Sequence, residues 1–140
     1  MIEIRNMIDD DAVSFEFDDK HRVLLVVVGK RLNRDIYLSL YAAIDRIVAT
    51  RGPLSSILDL SSVLDFDVFG DFAREMAAMR PAIPPGMVCV VVAPQPVIYG
   101  TARIVETLRS TTAVPIKVVR SLDEAFASFG SIRFGFNPID

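Results

Sequence analysis

Cysteine and histidine each occur once in 140 residues, as Cys89 and His21. A lone cysteine excludes an intramolecular disulfide and a cysteine-based metal cluster. A lone histidine leaves too few ligands for a structural zinc site and too little material for a histidine triad within one chain. No run of Lys and Arg is present, and the formal net charge is −3. That excludes the basic face a nucleic-acid binder presents and offers no attraction to anionic lipid. Long apolar runs are missing too. Val23–Val28 and Met87–Ala93 are the longest, far short of the roughly 20 residues a membrane-spanning helix needs. The start, Met-Ile-Glu-Ile-Arg-Asn, lacks the basic and apolar regions of a signal peptide, so a cytoplasmic location is expected. Neither a Gly-x-Gly-x-x-Gly turn nor a Walker pattern occurs. The acidic run Asp9–Asp11 lacks the spacing of a calcium loop and reads as a solvated leader. No metal, cofactor or catalytic residue is expected.

What is present suits one globular domain. Hydrophobic residues make up 51% of the chain and charged residues 24%, enough to bury a core. Val13, Phe15 and Phe17 alternate with Ser14 and Glu16, the signature of a half-buried strand. After the polar turn 18–21, the segment Arg22–Val28 is Val-rich and, past Arg22, continuously apolar, as in a central strand covered on both faces. The short turn predicts an antiparallel hairpin. Asn33 then caps a helix that carries Ile36, Leu40, Ile44 and Ile47 to Arg51, where Gly52-Pro53 stops it. Ser55–Leu60 reads as a strand. Asp67 is expected to cap a second helix bearing Phe69, Phe72, Met76 and Met79, ended by Pro81, Pro84 and Pro85. Met87–Ala93 is a further strand. Pro96 suits the first position of a third helix, with Ile98, Ala102, Val105 and Leu108 inward. Val114–Val119 is a strand, and Ser121 with Glu124 forms a capping box for a short fourth helix ended by Gly130. Single helices between strands imply parallel, right-handed crossovers. The fold class is therefore α/β: a mixed, mostly parallel sheet with an N-terminal antiparallel hairpin and four helices. The tail carries Ile132, Phe134, Phe136 and Ile139. These are expected to cover one sheet face or to pack into a partner chain, with a homodimer favoured.

The segment Ile57-Leu58-Asp59-Leu60-Ser61-Ser62-Val63-Leu64-Asp65-Phe66-Asp67-Val68-Phe69-Gly70 resembles the central motif of STAS domains, the anti-sigma-factor antagonist fold. There a strand ends in an Asp-Leu-Ser-Gly-Val-like stretch, and Asp-Ser-Ser-Gly opens a helix a few residues on. Tyr99-Gly100-Thr101-Ala102-Arg103-Ile104-Val105-Glu106 is similar to the Tyr-Gly-Leu-Ala-Arg helix of a small bacterial STAS-like branch, with Thr101 and Val105 departing from it. Val118–Ala125 extends the likeness, which spans roughly residues 13–129. In the phosphorylated antagonists the serine after the aspartate accepts phosphate. Asp67 matches that aspartate, but Val68 and Phe69 replace the two serines. The resemblance thus implies a STAS-type regulatory or interaction module without the usual phosphoacceptor. Because STAS and CRAL-TRIO lipid-transfer domains are similar in structure, it also implies an alternative, a binder of a small apolar or lipid-like ligand lined by Phe69, Phe72, Met76 and Met79. An enzyme is the third and weakest reading, because no nucleophile–base pair can be assembled.

The candidate binding residues are Asp59, Ser61, Ser62, Asp67, Val68, Phe69, Gly70, Tyr99 and Arg103. The loop of residues 61–70 would lie at the carboxyl ends of the strands, where open α/β sheets place ligands. Asp67 has the simpler explanation of a helix cap. Of Phe66, Val68 and Phe69, at least one should face the core, and two exposed would make a partner patch. Tyr99, Arg103 and Glu106 share a helix face. Arg103 is either a surface partner of Glu106 or an anion anchor near its helix N-terminus, with Tyr99 lining a pocket. Gly100 inside a helix asks for a close backbone neighbour. Cys89 reads as a buried small hydrophobe, and a phosphatase-type loop is ruled out by Gln95 in place of arginine. His21 reads as solvated. A receiver domain would need an acidic pair where Gly29-Lys30 stands, and Asp59 with Lys117 does not replace it.

Overall fold

A computed structural model describes residues 13–68, 71–79, 82–110 and 114–139. Phe69, Gly70, Pro81 and the Asp9–Asp11 run lie outside the described residues. Strands β1 (Val13–Asp18) and β2 (Val23–Val28) form the expected antiparallel hairpin, with Val13 opposite Val28 and Asp18 opposite Val23. Strand β3 (Arg31–Asn33) leads into helix α1 (Arg34–Arg51). Then follow β4 (Ser55–Asp59), β5 (Asp65–Asp67), α2 (Asp71–Ala78), β6 (Cys89–Val92), α3 (Pro96–Leu108), β7 (Ile116–Val119), α4 (Leu122–Ala127) and β8 (Asn137–Pro138). The main sheet has six strands in the order β7-β6-β4-β2-β1-β8. Its β2–β4, β4–β6 and β6–β7 pairs are parallel.

The order moves in one direction from β2 to β7. Right-handed crossovers that all step the same way place every connecting helix on the same face. Helices α1, α2 and α3 therefore share one side. Leu24, Val26, Leu40, Ile44, Met76, Val91 and Val105 form its core. The opposite face receives no crossover helix. Val23, Leu25, Ile57, Val90, Val92 and Val119 still point there and must be covered. Helix α4 and the C-terminal tail do this, with Phe126, Phe129, Phe134 and Phe136 packed on that face. Phe134 and Phe136 stack with centroids 5.1 Å apart, and Phe134 meets Phe129 edge-on at 5.8 Å. Of the two destinations expected for the tail, it takes its own sheet, so its apolar residues supply no argument for a dimer.

Local chemistry explains the element ends. The Asn33 side chain accepts the Ile36 N–H at 2.9 Å, and Gly52, at φ 88°, closes α1 with its N–H on Val48. Arg22 sits at φ 58° and reaches across to the end of α1. Its guanidinium donates to the carbonyls of Arg51 and Pro53 and lies 5.0 Å from the Phe17 ring. The Ser121 hydroxyl accepts the Glu124 N–H at 3.1 Å, the expected half of a capping box.

Four expectations are corrected. Leu108, expected inward on α3, is 49% exposed at the last position of that helix. Asp67 does not cap a helix. It ends β5, whose pairing with β3 sets Asp67 opposite Asn33, and α2 begins four residues later. Gly100 has no close neighbour, since a Cβ there would meet nothing within 4 Å. His21 is not simply solvated. Its Nδ1 lies 3.0 Å from Oδ2 of the buried Asp18, and its ring meets Phe134 edge-on at 5.7 Å. Among the described residues no helix is long and apolar enough to cross a membrane.

Candidate functional site

The loop between β4 and α2 lies at the carboxyl edge of the parallel strands and is held from three directions. From below, Asp59 is nearly buried at the end of β4, and its Oδ1 accepts the Ser61 N–H at 2.9 Å and the Ser61 hydroxyl at 2.5 Å. This Asx turn bends the chain out of the sheet. From one side, Gln95 precedes Pro96 at the start of α3 without capping that helix. Its Nε2 lies 3.0, 3.2 and 2.9 Å from the carbonyl oxygens of Leu60, Ser61 and Val63. The price is a buried Oε1 with no hydrogen-bond partner among the described residues. From the other side, the Lys30 carbonyl accepts the N–H groups of Leu64 and Asp65 at 2.7 and 2.9 Å. The β3–β5 ladder continues this brace, with Arg31 paired to Asp65 at 3.4 Å.

Ser61, Ser62, Asp65 and Asp67 are exposed on this loop. Val68 is 2% exposed and Phe66 is half-buried, so both turn inward. The apolar side chain that projects is Leu64, at 81% exposure. It was not singled out from the sequence. The signal was there, an apolar residue between two serines and two aspartates where a buried role needs a periodic neighbour. Gln95 carries no local signal of its role either, since the carbonyls it meets lie more than thirty positions away along the chain.

Tyr99 and Arg103 do not form an anion pocket. Arg103 is the eighth residue of α3, two turns from its N-terminus, and is half exposed. It pairs with Glu106 at 3.1 Å, and the second Glu106 oxygen accepts the Val118 N–H at 3.0 Å, tying α3 to β7. Tyr99 is half-buried, with the Arg120 guanidinium 4.1 Å from its ring centre. Thus the structure gathers Asp59, Ser61, Ser62, Asp67 and Val68 around one loop and leaves Tyr99 and Arg103 in packing and ion-pair roles.

The reactive side chains are dispersed. His21 sits on the β1–β2 turn, at the opposite edge of the sheet from Ser61. The Cys89 thiol lies 3.4 Å from the Ser56 hydroxyl, and burial pushes it up, which keeps it protonated at neutral pH. Among the described residues no group of three or more His, Cys, Asp or Glu side chains is placed to hold a metal ion. Compared with protein-family models, with curated proteins and with solved structures, the chain matches none of them.

Proposed function

We propose that this chain is a non-catalytic docking module of STAS type that binds a protein partner through the loop of residues 61–68, in the cytoplasm. The observation that carries the reading is Leu64, 81% exposed on a loop braced by Asp59, Gln95 and Lys30. A single exposed leucine is ordinary on a protein surface. A leucine held out by a braced loop is a preorganised anchor. Further apolar side chains, Val97, Ile104 and Leu108, are exposed on α3. Their spacing of seven and four puts them on one helix face, and Gln95, two residues before Val97, bonds the same loop.

Asp65 and Asp67 are exposed beside Leu64, so the complementary surface is an apolar recess rimmed by basic residues. A second copy would set these carboxylates against their own kind, which disfavours self-association here. Val68, buried and without a hydroxyl, supports binding that is not switched by phosphate at that position. A protonated Cys89 and a histidine far from the serine loop disfavour an enzyme.

The test compares affinity capture by the wild type with capture by Leu64→Asp, Asp67→Lys and, at the far edge of the sheet, Lys20→Glu. The expected result is a partner held by the wild type and by Lys20→Glu but lost from the two loop variants, with stability unchanged within about 0.5 kcal/mol for exposed positions. Equal capture by Leu64→Asp and wild type would sink the proposal.

A further inference from the structure

Helix α3 buries Ile98 and Val105. Its opposite side carries Val97, Gly100, Thr101, Ile104, Thr107 and Leu108, which recur at steps of three and four and share one face. All are exposed except Thr101, which is half-buried at the margin. None of the six is charged, although a solvent-facing helix normally carries its charges on that side. The nearest exposed charge, Arg103, is paired with Glu106. The hydroxyls of Thr101 and Thr107 donate to the carbonyl oxygens of Val97 and Arg103, each at 3.0 Å. Covering this face therefore leaves no hydroxyl donor unmet.

Gly100 lies within the face. Glycine weakens a helix interior relative to alanine, and a Cβ at this position would meet nothing within 4 Å. Nothing in the chain uses that clearance. A second helix laid on the face would use it, because a missing side chain lets two backbones approach closely.

We propose that this face binds a second copy of the chain, α3 against α3, antiparallel about a two-fold axis. The spacing is self-complementary for that arrangement. Val97 and Leu108 lie equally far from the midpoint of the segment 97–108, and so do Thr101 and Ile104. Val97 then meets Leu108 of the second copy, and Ile104 enters the clearance at Gly100 beside Thr101. Charge selects the occupant. Two copies of an uncharged face bring no like charges together, and lack of charge is what marks the centre of an interface. One helix pair covers less than the roughly 1,200–2,000 Å² of a stable complex, so the dimer dissociates on dilution. The inference does not rest on the docking loop, since a monomer keeps Leu64.

Sedimentation velocity of the full chain over a dilution series reads the equilibrium. Ile104→Lys, at a position 53% exposed, should weaken association by about a hundredfold, tenfold for each copy of the substitution. Gly100→Ala should act in opposite directions on fold and dimer. The melting midpoint of the dilute protein rises, while association weakens by about tenfold. Lys20→Glu, on the β1–β2 turn, should associate like the wild type. Orientation is read from methyl NOEs in a mixture of differently labelled copies. Val97 and Leu108 lie about 16 Å apart along one helix, so an NOE between them arises only across the dimer. A chain that stays monomeric up to about 1 mM would overturn the proposal. So would a dimer that survives Ile104→Lys, that is as tight in Gly100→Ala as in the wild type, or that lacks the Val97–Leu108 NOE.

Discussion

Replacing Asp18 with alanine should detach the C-terminal tail. Asp18 is 2% exposed, and its carboxylate accepts backbone N–H groups of His21 and of Gly135, each at 2.8 Å. A carboxylate only accepts, so the Nδ1 contact at 3.0 Å places the His21 proton on that nitrogen. Each charge-assisted bond is worth about 1.5–3 kcal/mol, and two lost together cost about 3–6 kcal/mol. That is a large share of the roughly 5–15 kcal/mol by which domains are stable. The loss should be local first, because the Gly135 bond ties the stretch carrying Phe134 and Phe136 to the β1–β2 turn, next to the β1–β8 pairing. Urea unfolding measures the total, and amide exchange at Gly135 reports the tail. Asp18→Ala within 1 kcal/mol of wild type, with unchanged exchange at Gly135, would refute the reasoning. The same site sets an acid limit. Burial alone would raise the Asp18 carboxyl, but the N–H donors and the His21 ring outweigh it and hold it below the usual carboxylate range. The folded state thus binds this proton less tightly than the unfolded chain. The stabilisation is complete above the unfolded value of about 4 and is lost as pH falls through the lower folded value. Asp18→Asn should flatten that acid limb.

Gln95→Ala removes the amide shared by three loop carbonyls and should cost about 1–2 kcal/mol, with faster exchange in residues 61–65 and weaker partner capture. Both Arg22→Ala and Arg22→Gly lose the guanidinium, but only glycine is at ease at φ 58°. The glycine variant should be the more stable by about 1 kcal/mol, and equal melting midpoints would contradict this. Gly100→Ala should stabilise α3 by up to about 1 kcal/mol, since the added methyl meets nothing within 4 Å. Thermal denaturation reads it directly.

The elements visible in the sequence were those whose signal is local. The α1 helix runs from its Asn33 cap to the Gly52 stop because both ends carry their own chemistry. The β2 run was legible as a central strand because its residues are apolar on both faces. Strands β3 and β5 left no trace, being three residues each and pairing across more than thirty positions. Non-local pairing of that kind has no periodicity to detect, and it took Asp67 away from its expected cap. The tail was recognised as apolar, yet the pattern is the same whether it covers its own sheet or another's. Asp59 and Ser61 meet because two positions separate them, whereas the bracing by Gln95 comes from a segment more than thirty residues away.

The Gly135–Asp18 bond joins positions 117 apart along the chain. Bringing such distant points together carries a loop-closure entropy of about 4 kcal/mol before any reward is collected. The parallel core can form over much shorter spans, one crossover at a time. The expected order of assembly is therefore a half-finished sheet with one greasy side bare, followed by its aromatic seal. Aggregation during folding should track that interval, and slowing tail docking should lengthen it.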